Sequence, residues 1–279
     1  MTSSATVSGW TEVADRCFVR RYPYLDVSCT VVIGGHDALV VDTRASLRQG
    51  RELAEHVRVL TPLPVQTVVN THVHFDHLFG NGAFPRVPVL AHESVPVDLP
   101  AHETRLKALY EAEPDDPNRD AALATVVVPP DITFSSVSAL DLGDRHIELA
   151  HLGRGHTGGD VVVRVPDADL VCAGDLVEES APPGFGSDCY PLEWGHTLES
   201  MSELLGPGTV VVPGHGRAVG RDFVLVQRLD VVDVAEQIRS LASSGVAVED
   251  AAARGSWPFP REGLGDAVAR GYAQLSPPR

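Results

Sequence analysis

Lysine is almost missing from this chain: Lys107 is the only one in 279 residues, and the remaining positive charge rests on arginine. The formal net charge of -16 excludes a surface built to hold a polyanionic nucleic-acid backbone. No apolar run approaches the ~18 residues that a membrane span needs. The stretch MTSSATVSGWTEVADRCF has no basic patch followed by an apolar core, so a non-secreted, cytoplasmic protein is expected. Cysteine is scarce too. Cys17, Cys29, Cys172 and Cys189 are scattered without CxxC spacing, a pattern of buried reduced thiols rather than a disulfide frame. There is no low-complexity tract, and 43% hydrophobic with 22% charged residues is the balance of a folded globular chain.

What is present reads as two runs of strands, each followed by helices. Cys17 to Tyr22, Cys29 to Ile33 and Ala38 to Asp42 are short β-branched or apolar runs, predicting strands. Ser46 to Leu60 carries apolar residues at helical spacing and stops before Pro62. Strands are expected at Gln66 to Val69 and Pro88 to Ala91, with a helix over much of His92 to Glu113. A proline-flanked crossover over 114 to 131 comes before the pattern restarts. Arg145 to Leu152, Asp160 to Val165, Asp169 to Ala173 and Thr209 to Val212 predict further strands. Helices are expected at Thr197 to Leu205, Gly220 to Ala242, about 246 to 254 and 263 to 275. The stripe over Gly220 to Ala242 reads as a core-facing helix face. The expected fold class is α/β, a two-layered sheet core with helices outside. No boundary divides it, so one domain over 1–279 is expected, closed by helices from about 218.

Four separated pieces concentrate metal-ligand side chains: THVHFDH (His72, His74, Asp76, His77), GRGHTGG (His156), CAGD (Asp175) and PGHG (His215). Each follows an apolar run or sits in a glycine-rich turn, where α/β proteins assemble their sites. A lone histidine in such a turn is commonly a plain loop residue, and a lone Asp after a strand is commonly a helix cap. Four such pieces together point to metal. Imidazole nitrogen with carboxylate oxygen suits Zn²⁺ or another borderline ion. In an extended segment His72 and His74 point to one side, while the turn through Asp76 and His77 aims at a second point. The expected arrangement has His72, His74 and His156 on one metal and Asp76, His77 and His215 on the other. Asp175 bridges the two. Two Zn²⁺ are expected, with Fe or Mn compatible with the same donors.

With Asp42 in LVVDT added, these motifs run from about residue 30 to 216, and the chain resembles the metallo-β-lactamase-fold superfamily of metallohydrolases. The resemblance implies an αββα sandwich with the metals in a shallow groove at one edge. It gives Asp42 the role of a buried carboxylate supporting the metal loop, and places Thr157 beside it in that supporting layer. One departure is Gly158-Gly159, where many members have proline after His-Thr. The secreted β-lactamases usually carry Cys or Ser where this chain has Asp175, and several place a drug-binding lysine shortly after it. Here the stretch is Leu176-Val177-Glu178-Glu179. The chain is similar instead to the glyoxalase II and lactonase-like members with a bridging Asp.

The implied activity is zinc-dependent hydrolysis of a small-molecule ester, thioester or lactone by a metal-bridging hydroxide, with Asp76 as both ligand and proton carrier. The alternatives are a mononuclear Fe(II) oxidoreductase like the family's persulfide dioxygenases, and weak β-lactam turnover. Residues 179 to 197 are expected to line or cover the groove. Within them Tyr190, as a donor to a developing oxyanion, and Trp194 are candidate substrate contacts. His36, His56, His92, His102, His146 and His151 lack partners at ligand spacing and receive no role. The sequence gives no oligomeric state.

Overall fold

The computed structural model describes residues 6–276. Its strands are β1 (Thr6–Val7), β2 (Trp10–Ala14), β3 (Cys17–Tyr22), β4 (Val27–Ile33), β5 (Ala38–Val41), β6 (Val65–Val69), β7 (Val89–His92), β8 (Ile132–Phe134), β9 (Val137–Asp141), β10 (His146–Ala150), β11 (Val162–Val165), β12 (Leu170–Glu178), β13 (Val210–His215) and β14 (Val219–Gly220). The helices are α1 (Leu47–Leu60), α2 (Phe75–Leu78), α3 (Val95–Ala112), α4 (Arg119–Leu123), α5 (Pro191–Ser202), α6 (Arg221–Ser243), α7 (Val248–Arg254) and α8 (Gly265–Leu275). Among the described residues no helix is long and apolar enough to cross a membrane.

The strands follow the order β8-β7-β6-β5-β4-β13-β12-β11-β10-β9, with β1, β2 and β3 branching from β4 and β14 from β13. Between β4 and β13 the ladder has one register pair, Val27 with His215. At that seam the sheet divides into two layers packed face to face. Cys17, Val32, Leu39, Val41 and Val69 from the first layer share one core with Ile147, Leu149, Val163, Cys172 and Val212 from the second.

Alternation along each strand sends the intervening residues outward. Val31, Val40 and Val68 pack under Leu53 and Val57 of α1. Val162, Val171 and Val211 pack under Trp194 and Leu198 of α5 and Val231, Val234 and Ile238 of α6. Strands buried on both faces are mostly apolar, which is why β4, β5 and the first half of β12 read so plainly. The result is the αββα sandwich. Helix α1 begins at Ser46, whose side chain accepts from the Gln49 N–H. Burying Leu53 and Val57 contributes about 1.5–3 kcal/mol each, and Leu53→Ala would cost about 2–5 kcal/mol.

Three sequence expectations need correction. Strand β12 runs on to Glu178, so Asp175 lies within it rather than after it. Helix α5 starts at Pro191, six residues before the expected Thr197, because proline suits the first helical turn. The crossover over 114 to 131 contains α4, and strands β2, β8 and β9 were not expected at all.

Candidate metal centre

The site lies where the parallel pairs β5–β6 and β12–β13 end. After β6 the chain turns sharply through residues 70–81, and buried amides hold it there. Asn70 Nδ2 donates to His77 O at 3.0 Å, and Asn81 Nδ2 donates to Asn70 Oδ1 at 2.9 Å. Residues Phe75–Leu78 form the single helical turn α2, entered from His74 in extended conformation. That switch from extended to helical backbone aims His72 and His74 at one point and Asp76 and His77 at another.

The ligand atoms of His72, His74, His156 and Asp175 lie within 4.8 Å of one another, and so do those of Asp76, His77 and His215. Asp175 joins the two groups. Its Oδ2 is 3.3 Å from His156 Nε2, 3.7 Å from His72 Nε2 and 3.2 Å from His215 Nε2, while its Oδ1 is 3.2 Å from His77 Nε2. Two glycines make this convergence possible. Gly174 sits at φ 53, a left-handed conformation that shifts the β12–β13 register just before Asp175. A side chain at Gly214 would collide with Asp175 Oδ1.

Hydrogen bonds on the far side of each ring decide which nitrogen faces inward. His77 Nδ1 is 2.7 Å from Asp42 Oδ2, His156 Nδ1 donates to Gly184 O at 2.8 Å, and His215 Nδ1 donates to Leu25 O at 2.7 Å. Thr71 Oγ1 donates to Asp42 at 2.9 Å and accepts from His72 Nδ1 at 3.0 Å. His74 is reversed: its Nε2 donates to Asp188 Oδ2 at 2.9 Å, so Nδ1 faces inward. With the outer nitrogens carrying hydrogen, the inner ones are bare lone pairs.

Those lone pairs meet with little between them. His156 Nε2 lies 2.8 Å from His74 Nδ1, and His77 Nε2 lies 3.3 Å from His215 Nε2. His72 Nε2 and Asp175 Oδ1 are buried without any hydrogen-bond partner. Opposed acceptors at such distances require a proton or a cation between them. In the absence of metal, protons fill that role. Burial opposes charge on His215, but Asp175 and then Asp76 outweigh it and raise its pKa to about 10. His77 is likewise raised well above its ordinary value against the cost of burial, chiefly by Asp175 and Asp76. Burial lowers His156 to about 4. A nitrogen and carboxylate set of this kind fits borderline divalent cations.

Residues 22–215 match the family model of the metallo-beta-lactamase superfamily. The chain belongs to that superfamily. It is similar to the metallo-beta-lactamase type 2 of Bacillus sp. (strain 170), 28% identical over 196 residues that cover 70% of this chain and 68% of that protein. It is also similar to acyl-coenzyme A thioesterase MBLAC2 of Homo sapiens, 27% identical over 210 residues, 69% of this chain and 74% of that one. The solved metallo-beta-lactamase from Pontibacter korlensis superposes with a TM-score of 0.62 at 24% identity, over 80% of this chain and 97% of its own, and shares the fold.

In this metallo-beta-lactamase fold, the remaining residues singled out from sequence have varied placements. Thr157 does not reach a ligand ring. Its N–H and hydroxyl donate to Asp160, the latter at 2.6 Å, closing the turn that carries His156. Tyr190 lies beside Gly158 at the groove, its ring 4.3 Å from the Arg154 guanidinium carbon. Trp194 is a correction. It is fully buried, donates from Nε1 to Leu176 O at 3.2 Å, and backs His156 at 5.7 Å between ring centres. No face of it is open to a substrate. Of residues 179–197, the loop portion flanks the groove through Gly184 and Asp188, and the rest is the start of α5.

Sequence reading missed four residues. Asp188 holds His74, His102 stacks on the same ring at 4.8 Å, and Asp160 closes the Thr157 turn. Glu178, buried beside Asp175 and His215, has its pKa raised to about 8 by burial and then by Asp175. Asp188 and His102 are far from the motifs in sequence, so no spacing could have marked them. The repeated carboxylate in GDLVEE was the only available hint of Glu178.

Proposed function

We propose that the chain is a binuclear metal-dependent hydrolase that cleaves an ester, thioester or lactone. The observation that carries this reading is Asp175, one buried carboxylate shared between two groups of inward-facing nitrogen and oxygen donors. Those groups are His72, His74 and His156 on one side, and Asp76, His77 and His215 on the other. Divalent ions held by these residues, zinc in this reading, would lower the pKa of water toward ~7 and polarise the carbonyl.

The protein supplies the rest. Asp42, Gly184, Leu25 and Asp188 fix the imidazole rings, so that little reorganisation accompanies reaction. Asp76, 3.3 Å from His215 Nε2, is the proton carrier, its carboxylate being able to take a proton as the nucleophile forms and return it to the leaving group. The Tyr190 hydroxyl, beside Gly158, donates toward developing negative charge.

The similarity to an acyl-coenzyme A thioesterase supports including thioesters. The similarity to a metallo-beta-lactamase makes β-lactams a necessary test substrate. Against them stands the stretch after Asp175, where Leu176, Val177 and Glu178 are all buried and offer no cation for a drug carboxylate.

The test is elemental analysis of protein purified without added metal, together with turnover of thioester, lactone, aryl ester and β-lactam substrates. About two zinc ions per chain with hydrolysis of one of the first three classes is expected. About one iron per chain, with no hydrolysis but oxygen uptake on a persulfide, would overturn it.

A further inference from the structure

Beside the group that holds His74 lies a cavity of about 300 Å³. Val73 of the metal loop and Val97 and Ala101 of α3 give it an apolar wall. Arg105 of α3 and Arg270 of α8 reach it from two different helices.

Several arginines elsewhere in this chain are matched to acids. Arg145 pairs with Asp15 and Asp167, Arg44 with Glu52 and Arg154 with Glu193. Arg270 makes no ion pair among the described residues. Its Nε donates to Cys189 O at 3.0 Å and its guanidinium carbon is 5.0 Å from the Tyr190 ring centre, leaving both terminal nitrogens without a protein acceptor. Arg105 is bound to neutral acceptors only, Ser187 Oγ at 2.7 Å and His102 Nδ1 at 2.9 Å, with the nearest carboxylate oxygen, on Asp188, at 3.8 Å. That carboxylate is engaged by His74. The cavity's other acid, Asp98, has its pKa raised by burial and then by Asp188.

A third donor stands beside them. Arginine can only donate, so His102 Nδ1 accepts, and the hydrogen of the neutral ring is on Nε2. That Nε2 is buried and has no partner among the described residues, on a ring that lines the same cavity. Donors without acceptors around this half-open cavity mark what is missing from it, a group that only accepts.

We infer that this cavity is an anion subsite for a carboxylate or phosphate on the substrate, set a short apolar span from the carbonyl that is cleaved, with Arg270 and Arg105 determining specificity. The inference rests on the hydrolase reading and narrows it to anionic esters and thioesters. Guanidinium groups bind such oxyanions through charge-assisted hydrogen bonds. In a chain of net charge -16 a local cationic site is needed to offset the general repulsion of anions.

The test uses the metal-loaded enzyme and three thioesters that differ only at the acyl end: carboxylate, phosphate monoester or carboxamide. One anionic thioester should exceed the carboxamide in kcat/KM by about tenfold or more, mostly through KM. Which anion wins identifies the source. Arg270→Gln should pull the anionic-to-neutral ratio toward one, and Arg270→Lys should retain part of it. Added salt should lower the ratio in the unaltered enzyme, a readout independent of whether any variant folds. A ratio near one at low salt for both anions, or a folded Arg270→Gln enzyme that keeps the preference, overturns the inference and leaves the hydrolase standing. No hydrolysis of any thioester, lactone or aryl ester removes the hydrolase reading, and the subsite with it.

Discussion

Asp42 Oδ2 lies 2.7 Å from His77 Nδ1, and the same carboxylate accepts from the backbone N–H and the hydroxyl of Thr71 at 2.8 and 2.9 Å. One side chain thereby sets two candidate ligands, His77 directly and His72 through Thr71. Its position at φ 64 suits Asp or Asn better than other side chains. Asp42→Asn therefore keeps the backbone but puts an NH₂ in place of one of the two oxygens that three donors share. Metal affinity is expected to fall about 10–100-fold with the fold intact, measured by competition with a chelator. Unchanged affinity would remove Asp42 from the support of the site.

Asp175→Ala removes the shared carboxylate and should leave less than one metal per chain, with activity lost. Gly214→Ala reaches the same carboxylate without altering a ligand, since its methyl group would overlap Asp175 Oδ1. Both variants are expected to lose metal by elemental analysis while retaining their circular dichroism spectra. Full activity with unaltered metal content in Asp175→Ala would end the binuclear reading.

Trp194 bears on stability rather than on substrate. Truncation to Ala empties space beneath His156 and Phe185 and removes a donor from Leu176 O, which keeps the one from Gln227. A loss of about 3–5 kcal/mol is expected from the urea midpoint. Trp194→Phe, which keeps most of the packing, should cost less. A Trp194→Ala protein as stable as its parent would contradict the packing described.

The raised pKa of His215, about 10, means that its ring holds an extra proton at neutral pH when metal is absent, and Asp175 and Asp76 push His77 in the same direction against the cost of burial. Metal must displace that proton. Loading near neutral pH should release protons, and apparent affinity should weaken as pH falls, seen by calorimetry in buffers of different ionisation enthalpy. The same proton stabilises the metal-free fold. For His215 that contribution is complete below 6.5 and is lost as pH rises through about 10. The melting temperature of chelated protein should decline across this window, and that of loaded protein should not follow it. Loading without proton release would contradict this charge distribution.

The parts of the fold most legible in sequence were those buried on both faces. Strand β5 is apolar at every position and β4 at all but Ser28 and Thr30, because a layer covers each side of them. Strand β9, VSALD, alternates between exposed and half-buried at the sheet's edge, and its polar residues resemble a loop. The end of β12 was hidden because Glu178 is a buried carboxylate, which local pattern cannot separate from a surface one. The candidate ligands were legible because each sits in a short motif, after β6, in a glycine-rich turn, within β12 or at the end of β13. Asp188 and His102 have no such motif. They meet His74 only because α3 and the loop before α5 fold over it.

The single register pair between Val27 and His215 also has a mechanical meaning. At that point Gly216 N donates to Asp26 O at 3.1 Å and Ser28 Oγ donates to Gly216 O at 2.8 Å, so the two layers are fastened where a candidate ligand sits. Of the seven candidate ligands, His72, His74, Asp76 and His77 come from the first layer, and His156, Asp175 and His215 from the second. Metal held by both sets would act as a rivet through the seam, its binding energy adding to the cohesion of the layers. A chain with one layer misplaced has at most four of the seven donors and no complete site to retain the ion. Retained metal would then report that the molecule has been assembled correctly as well as that it can act.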